Sequence, residues 1–136
     1  MLRLSKQVDY GIVLLSYFAR HGTQAVLSAR DLADEAALPL PTVGKVLKGL
    51  ARGGLLESHR GVKGGYTLVR AADEISVASV VQALEGPIHV TDCAPGGERS
   101  CEHERHCPVR TPVQRLNAVV RETLSKVTLE ELSVLN

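Results

Sequence analysis

Apolar side chains recur at helical spacing from the start of the chain. Val8, Ile12, Leu15 and Ala19 share one side of a helix predicted over Leu4 to Arg20. Leu14, Tyr17 and Phe18 widen that stripe, so much of the helix is expected to be buried. His21-Gly22 ends it. Ser28 then offers an N-cap, with Asp31 three positions on, for a short helix through Leu32, Ala33 and Ala36. Leu38-Pro39-Leu40-Pro41 interrupts it: Pro39 disfavours helix at Leu38, while Pro41 suits the first turn of the next helix. That helix runs to about Arg52 and stops at Gly53-Gly54. Two short helices across a tight turn make a helix-turn-helix. In the second, Val43, Val46, Leu47 and Leu50 form one face, and Thr42, Lys45, Lys48, Gly49 and Arg52 the other.

Two β-like runs follow, Leu55 to His59 and Tyr66 to Val69, around a tip that holds Arg60, Lys63 and several glycines. This reads as a hairpin, and directly behind a helix-turn-helix it reads as a wing. Gly64-Gly65 would otherwise serve only to supply positive φ in a plain loop. Ser76 caps a further helix through Leu84, ended by Glu85-Gly86-Pro87. Residues 88–108 show no period. From Val109 the pattern returns, with Val113, Leu116, Val120, Leu124 and Val127 at three- and four-residue steps. So narrow a seam suits helix pairing between subunits, packing on the chain's own core being the alternative. Thr128-Leu-Glu-Glu131 opens a last short helix as a capping box. The expected fold is mainly α with a small β-hairpin: a winged helix-turn-helix over 1–87, a cysteine-containing loop over 88–108, and a dimerisation helix with a short terminal helix over 109–136.

Charge sharpens this picture. The net charge of +1 hides a split, with ten Lys/Arg against five Asp/Glu in residues 1–70 and six against ten in residues 71–136. A basic front half can meet a polyanion, and the acidic back half should not. The exposed face of the second helix is purely basic or small, so Thr42, Lys45, Lys48 and Arg52 are candidates for contact with double-stranded DNA. Arg60 and Lys63 are candidates for phosphate or minor-groove contact from the wing. The N-terminus resembles a short secretory signal, with Arg3 and Lys6 before an apolar run from Ile12 to Ala19. However, Asp9 and Tyr10 interrupt the approach, no A-x-A-like cleavage site follows, and the run is far short of the roughly 20 residues of a bilayer span. A cytoplasmic protein without membrane contact is expected. No nucleophile–base arrangement, phosphate loop or paired carboxylates stand out from the surface charge, which argues against an enzyme.

All three cysteines lie in Cys93-x7-Cys101-x5-Cys107, with His103 and His106 in the second interval. In a reducing compartment an odd, clustered set is a poor disulfide framework and a better ligand set. Thiolates suit iron–sulfur clusters and zinc. Structural zinc prefers cysteines two to four apart, so the wider gaps favour a cluster.

At this point a resemblance becomes specific. RLSKQVDYG, the block LPLPTVGKVLKGLARGGLLESHRGVKGGYTLVR, EISVASVVQALEGPI and the trailing cysteine triplet resemble the iron–sulfur-sensing winged-helix repressors of the IscR and NsrR kind. Within that family the LARGGLLESHRG, KGGYTL and ALEGPI blocks are most similar to regulators of the SUF cluster-assembly operon. The resemblance covers nearly the whole chain. It implies a homodimer, winged-helix binding to a double-stranded operator, repression of cluster-assembly genes, and an iron–sulfur cluster on Cys93, Cys101 and Cys107, [2Fe–2S] ahead of [4Fe–4S]. The fourth ligand is where the sequence departs. IscR-like members carry a histidine three residues after the last cysteine, and here that position is Arg110. NsrR-like members supply an aspartate from the first helix of the facing subunit, and the matching residue is Asp9; His103 and His106 are rivals. A nitric-oxide or redox sensor using the same cluster is the alternative function, and a cluster carrier that binds no DNA is a third.

Overall fold

The computed structural model describes residues 2–93 and 101–134. Helix α1 (Lys6–His21) starts at Ser5, whose side chain accepts the Val8 N–H, and stops where Gly22 takes a positive φ of 93°. Its buried side is Val8, Gly11, Leu14, Leu15 and Phe18. The expected stripe is therefore rotated: Ile12 and Ala19 are half-buried at its margin, because the helices that follow in the chain pack against α1. A methyl on Gly11 would lie 2.7 Å from Leu84 Cδ1, so the small residue sets how closely α1 can approach its neighbour.

Helix α2 (Ala29–Ala36) is capped by the Ser28 hydroxyl, which accepts from the Asp31 N–H at 3.1 Å. Ala37 ends it in the left-handed region at φ 54°, ψ 43°. Helix α3 (Leu40–Arg52) follows at once, with Pro39 at its N-cap and a proline in its first turn. Val43, Val46, Leu47 and Leu50 are buried, as their spacing predicts. Gly49 is a correction: it is buried rather than part of the exposed face, because a Cβ there would meet Leu84 Cδ2 at 2.8 Å.

Strands β1 (Leu56–His59) and β2 (Gly65–Leu68) form an antiparallel hairpin with Leu56 opposite Leu68 and His59 opposite Gly65. Leu27 bridges Tyr66 through two backbone hydrogen bonds, at 3.0 and 2.9 Å, so the wing is stitched to the segment that leads into α2. Positive φ at the tip belongs to Gly61, not to Gly64 or Gly65. Those two are instead sites of close backbone approach: added methyls would lie 2.7 Å from the His59 carbonyl oxygen and 2.5 Å from that of Leu27.

Helix α4 (Val77–Glu85), capped by Ser76, crosses behind α1 and α3. Helix α5 (Arg110–Lys126) packs on α4, and α6 (Leu129–Val134) returns to α1. The return is firm. Leu129 is buried in the main core, and the Val77 and Leu129 N–H groups donate to the Val127 and Ile75 carbonyls at 2.9 and 2.8 Å. The core of the N-terminal unit is thus closed by the last helix of the chain. No helix among the described residues is long and apolar enough to cross a membrane.

Candidate nucleic-acid interface and thiol site

Pro39 and Pro41 start α3 sharply after a three-residue turn, and its apolar face locks it against α1, α2 and α4. The opposite face is therefore fixed outward. Lys45, Lys48 and Arg52 are exposed there and Thr42 is half-buried. Helix α3 carries no acidic residue, and none of these cations has a carboxylate within ion-pair distance among the described residues. Such unneutralised charge on a rigid helix suits a phosphate backbone. Arg60 and Lys63 are exposed at the wing tip, on either side of a fully exposed Val62. Arg52 differs from the two lysines in its surroundings, since it also lines a groove of about 490 Å³ with Arg70, Ser79 and Gln82.

Cys93, Cys101 and Cys107 are all half-buried free thiols. Residues 94–100, between the first two, lie outside the described residues. Among the described residues no three His, Cys, Asp or Glu side chains gather closely enough to hold a metal ion. The donor chemistry nonetheless fits a cluster: three soft sulfur ligands lie on one stretch, with no disulfide competing for them. Asp9 is exposed in the first turn of α1. The partial positive charge of a helix N-terminus favours a carboxylate there, so its presence in an apolar helix needs no ion pair. His103 and His106 are also exposed, at the two ends of a short 3-10 turn over Glu104–His106.

The structure adds further residues that the spacing did not single out. Arg110, where a histidine was the expectation for IscR-like members, pairs with Glu104 at 3.1 Å and fastens the Cys101–Cys107 turn to the start of α5. Asn117, in the middle of α5, is fully buried and is the one buried polar residue among those described. Its Oδ1 accepts the Val90 N–H at 2.7 Å and its Nδ2 donates to Thr91 Oγ1 at 2.8 Å, while Thr91 Oγ1 lies 3.4 Å from Cys93 Sγ. The described stretches on either side of residues 94–100 are thereby each tied to α5. A signal was available in the sequence: Asn117 falls on the same helical face as Val113 and Val120, a polar residue among apolar ones.

A family model described as an iron-dependent transcriptional regulator, Rrf2, matches residues 4–134. The chain belongs to the Rrf2 family. This Rrf2 protein is 28% identical over 131 residues to the HTH-type transcriptional regulator IscR of Pectobacterium atrosepticum, covering 96% of this chain and 79% of that one. It is 29% identical to Protein aau3 of Rhizobium meliloti, with 96% and 84% covered. Among solved structures it is similar to CymR, the global cysteine regulator of B. subtilis. That match has a TM-score of 0.74 and 27% identity, and it covers 100% of this chain and 99% of that one. It shares its fold with T. potens IscR at a TM-score of 0.70 and 23% identity, covering 96% and 85%. The Rrf2 winged helix and its outward basic face accordingly belong to a DNA-binding transcriptional regulator. Proteins of this family are regulators rather than enzymes.

Proposed function

We propose that the protein is a homodimeric, cytoplasmic repressor of iron–sulfur cluster assembly genes whose hold on its operator follows ligation of Cys93, Cys101 and Cys107. The observation that carries the reading is the outward face of α3: Lys45, Lys48 and Arg52 stand exposed without acidic partners among the described residues, and the wing that follows in the chain adds Arg60 and Lys63. Lys45, Lys48, Arg60 and Lys63 supply phosphate and groove contacts, Arg52 adds charge at the end of α3, and Thr42 reaches a base edge. Three parts make up the chain on this reading: the DNA-binding unit over 1–87, the cluster-binding loop over 88–108 and the dimerisation region from 109. Helix α5 supports the dimer through a different stripe from the expected seam: Val113, Val120, Leu124 and Val127 are half-buried, while Leu116, with Val109 and Val119, leaves an apolar stripe about half exposed.

When bound, an iron–sulfur cluster supplies bonds that draw the three sulfurs together, with [2Fe–2S] preferred. The fourth ligand in this scheme is Asp9 of the partner subunit, which the exposed position of Asp9 leaves available; His103 and His106 are the rivals. The protein's own part is mechanical. The Glu104–Arg110 and Thr91–Asn117 contacts pass any rearrangement of the loop to α5, and so to the spacing of two recognition helices. Half-sites must lie about 34 Å apart, so a small shift changes affinity.

A second reading is favoured by the likeness to CymR over the full length of both chains: regulation by thiol oxidation or cysteine supply through the same sulfurs. Anaerobic purification separates the two. The cluster reading expects a coloured protein that Cys101→Ala bleaches; colourless wild type would sink it. For DNA, Lys48→Ala should weaken binding and lower the salt slope by about 0.9 for each phosphate that the variant leaves unneutralised. An unchanged slope would remove Lys48 from the interface.

A further inference from the structure

Asn117 is the one fully buried residue of α5, with Val113, Gln114, Val120, Arg121 and Leu124 half-buried around it. A buried primary amide is tolerated only when its hydrogen bonds are satisfied, so its partners must offset its desolvation. Their directions are fixed by chemistry. The Val90 backbone N–H can only donate, so the atom facing it must be the amide oxygen. The amide nitrogen then faces Thr91 Oγ1 at 2.8 Å and donates to it. With that oxygen already accepting, the Thr91 hydroxyl hydrogen is free to turn to Cys93 Sγ, 3.4 Å away and within hydrogen-bonding distance for sulfur.

We propose that Asn117 and Thr91 form a positioning relay from the interior of α5 to the Cys93 sulfur, holding that sulfur ready for ligation and coupling its state to α5. This rests on the cluster reading above for the identity of the group that Cys93 binds. The relay also explains how a small event at sulfur reaches the dimer. Asn117 faces inward, and its neighbours Leu116 and Val119 belong to the exposed stripe, so one turn of α5 carries both the tether and the outward surface. A pull on the tether rotates the stripe. Glu104–Arg110 makes a second attachment two turns earlier, so the two ends of the cysteine segment act on one rigid rod.

Hydrogen-bonding partners one step removed from a metal ligand typically change affinity by about 10–100-fold when removed. Thr91→Val removes the hydroxyl while keeping the shape. In anaerobically loaded full-length protein it should speed loss of the cluster to a chelator by about tenfold, at the low end of that range. It should also lower the reduction potential, because a donor to sulfur is gone. Thr91→Ser should restore both. In metal-free protein, Asn117→Leu should speed hydrogen exchange at the Val90 amide and through residues 88–93, with α1–α3 unchanged. A Thr91→Val protein that releases its cluster at the wild-type rate, or a Thr91→Ser protein that behaves like Thr91→Val, overturns the relay. If the wild type holds no cluster, the cluster reading fails separately. The exchange arm then decides alone, and unchanged exchange at Val90 disposes of the tether.

Discussion

Gly53 tests how tightly the recognition helix is seated. It caps α3 at φ −77° and ψ 0°, a backbone that alanine adopts freely. On backbone grounds alone, Gly53→Ala would stabilise the fold by about 0.4–1 kcal/mol, by restricting the unfolded chain. Packing reverses the sign. The new methyl would lie 2.3 Å from Ala83 Cβ and 2.7 Å from Ala83 Cα. Carbon atoms settle at about 3.5–4.0 Å, so the end of α3 and the middle of α4 must part by roughly 1.5 Å. Neither obstacle is a flexible chain end that could swing aside. Overpacking of this kind costs about 1–3 kcal/mol, and the middle of these ranges leaves a net loss of about 1.3 kcal/mol after the backbone gain. For a domain of this size, that lowers Tm by roughly 3–8 °C in calorimetry. The displaced helix carries Lys45 and Lys48, so operator affinity should fall while the salt slope stays constant, every cation being retained. Gly53→Ala with Ala83→Gly should recover the packing, less about 1 kcal/mol for glycine inside α4. Gly54→Ala is the contrasting control: nothing lies within 4 Å, and only its φ of 81° resists a side chain. A Gly53→Ala protein with unchanged or raised Tm would refute the close crossing of α3 and α4.

The other predictions concern the dimer, the turn and the closing helix. Leu116→Glu puts charge in the exposed stripe of α5 and should yield a folded monomer in sedimentation equilibrium; a persistent dimer would place the interface elsewhere. Ala37→Gly relieves a left-handed residue in the helix-turn-helix turn and should raise stability by about 0.5–1 kcal/mol in urea melts, the relief exceeding the entropy glycine adds to the unfolded chain. Leu129→Ala should cost about 2–5 kcal/mol, as for any buried leucine, although it lies seven residues from the end of the chain. A loss below about 1 kcal/mol would detach α6 from the core.

The order of elements, the helix-turn-helix, the wing and the basic outward face of α3 are all legible in the amino-acid order alone. Those features are local. A cap such as Ser28, a proline pair such as Pro39 and Pro41, and apolar spacing over four turns act within a few residues of where they are written. The three thiols are legible for the same reason, being close in the chain. Other features depend on neighbours far along the sequence, and these wait for the folded chain. Why Gly49 and Gly53 must be small follows from α4, whose Ala83 and Leu84 arrive some thirty residues later, and the same Leu84 bears on Gly11 of α1 from much further along the chain. That Leu129 completes the N-terminal core follows from backbone pairing of residues 75–77 with 127–129. The role of Asn117 belongs here too. Periodicity marks a polar residue on an apolar face, but only the fold places Val90 and Thr91 against it, because a buried amide is defined by partners that the spacing along one helix cannot supply.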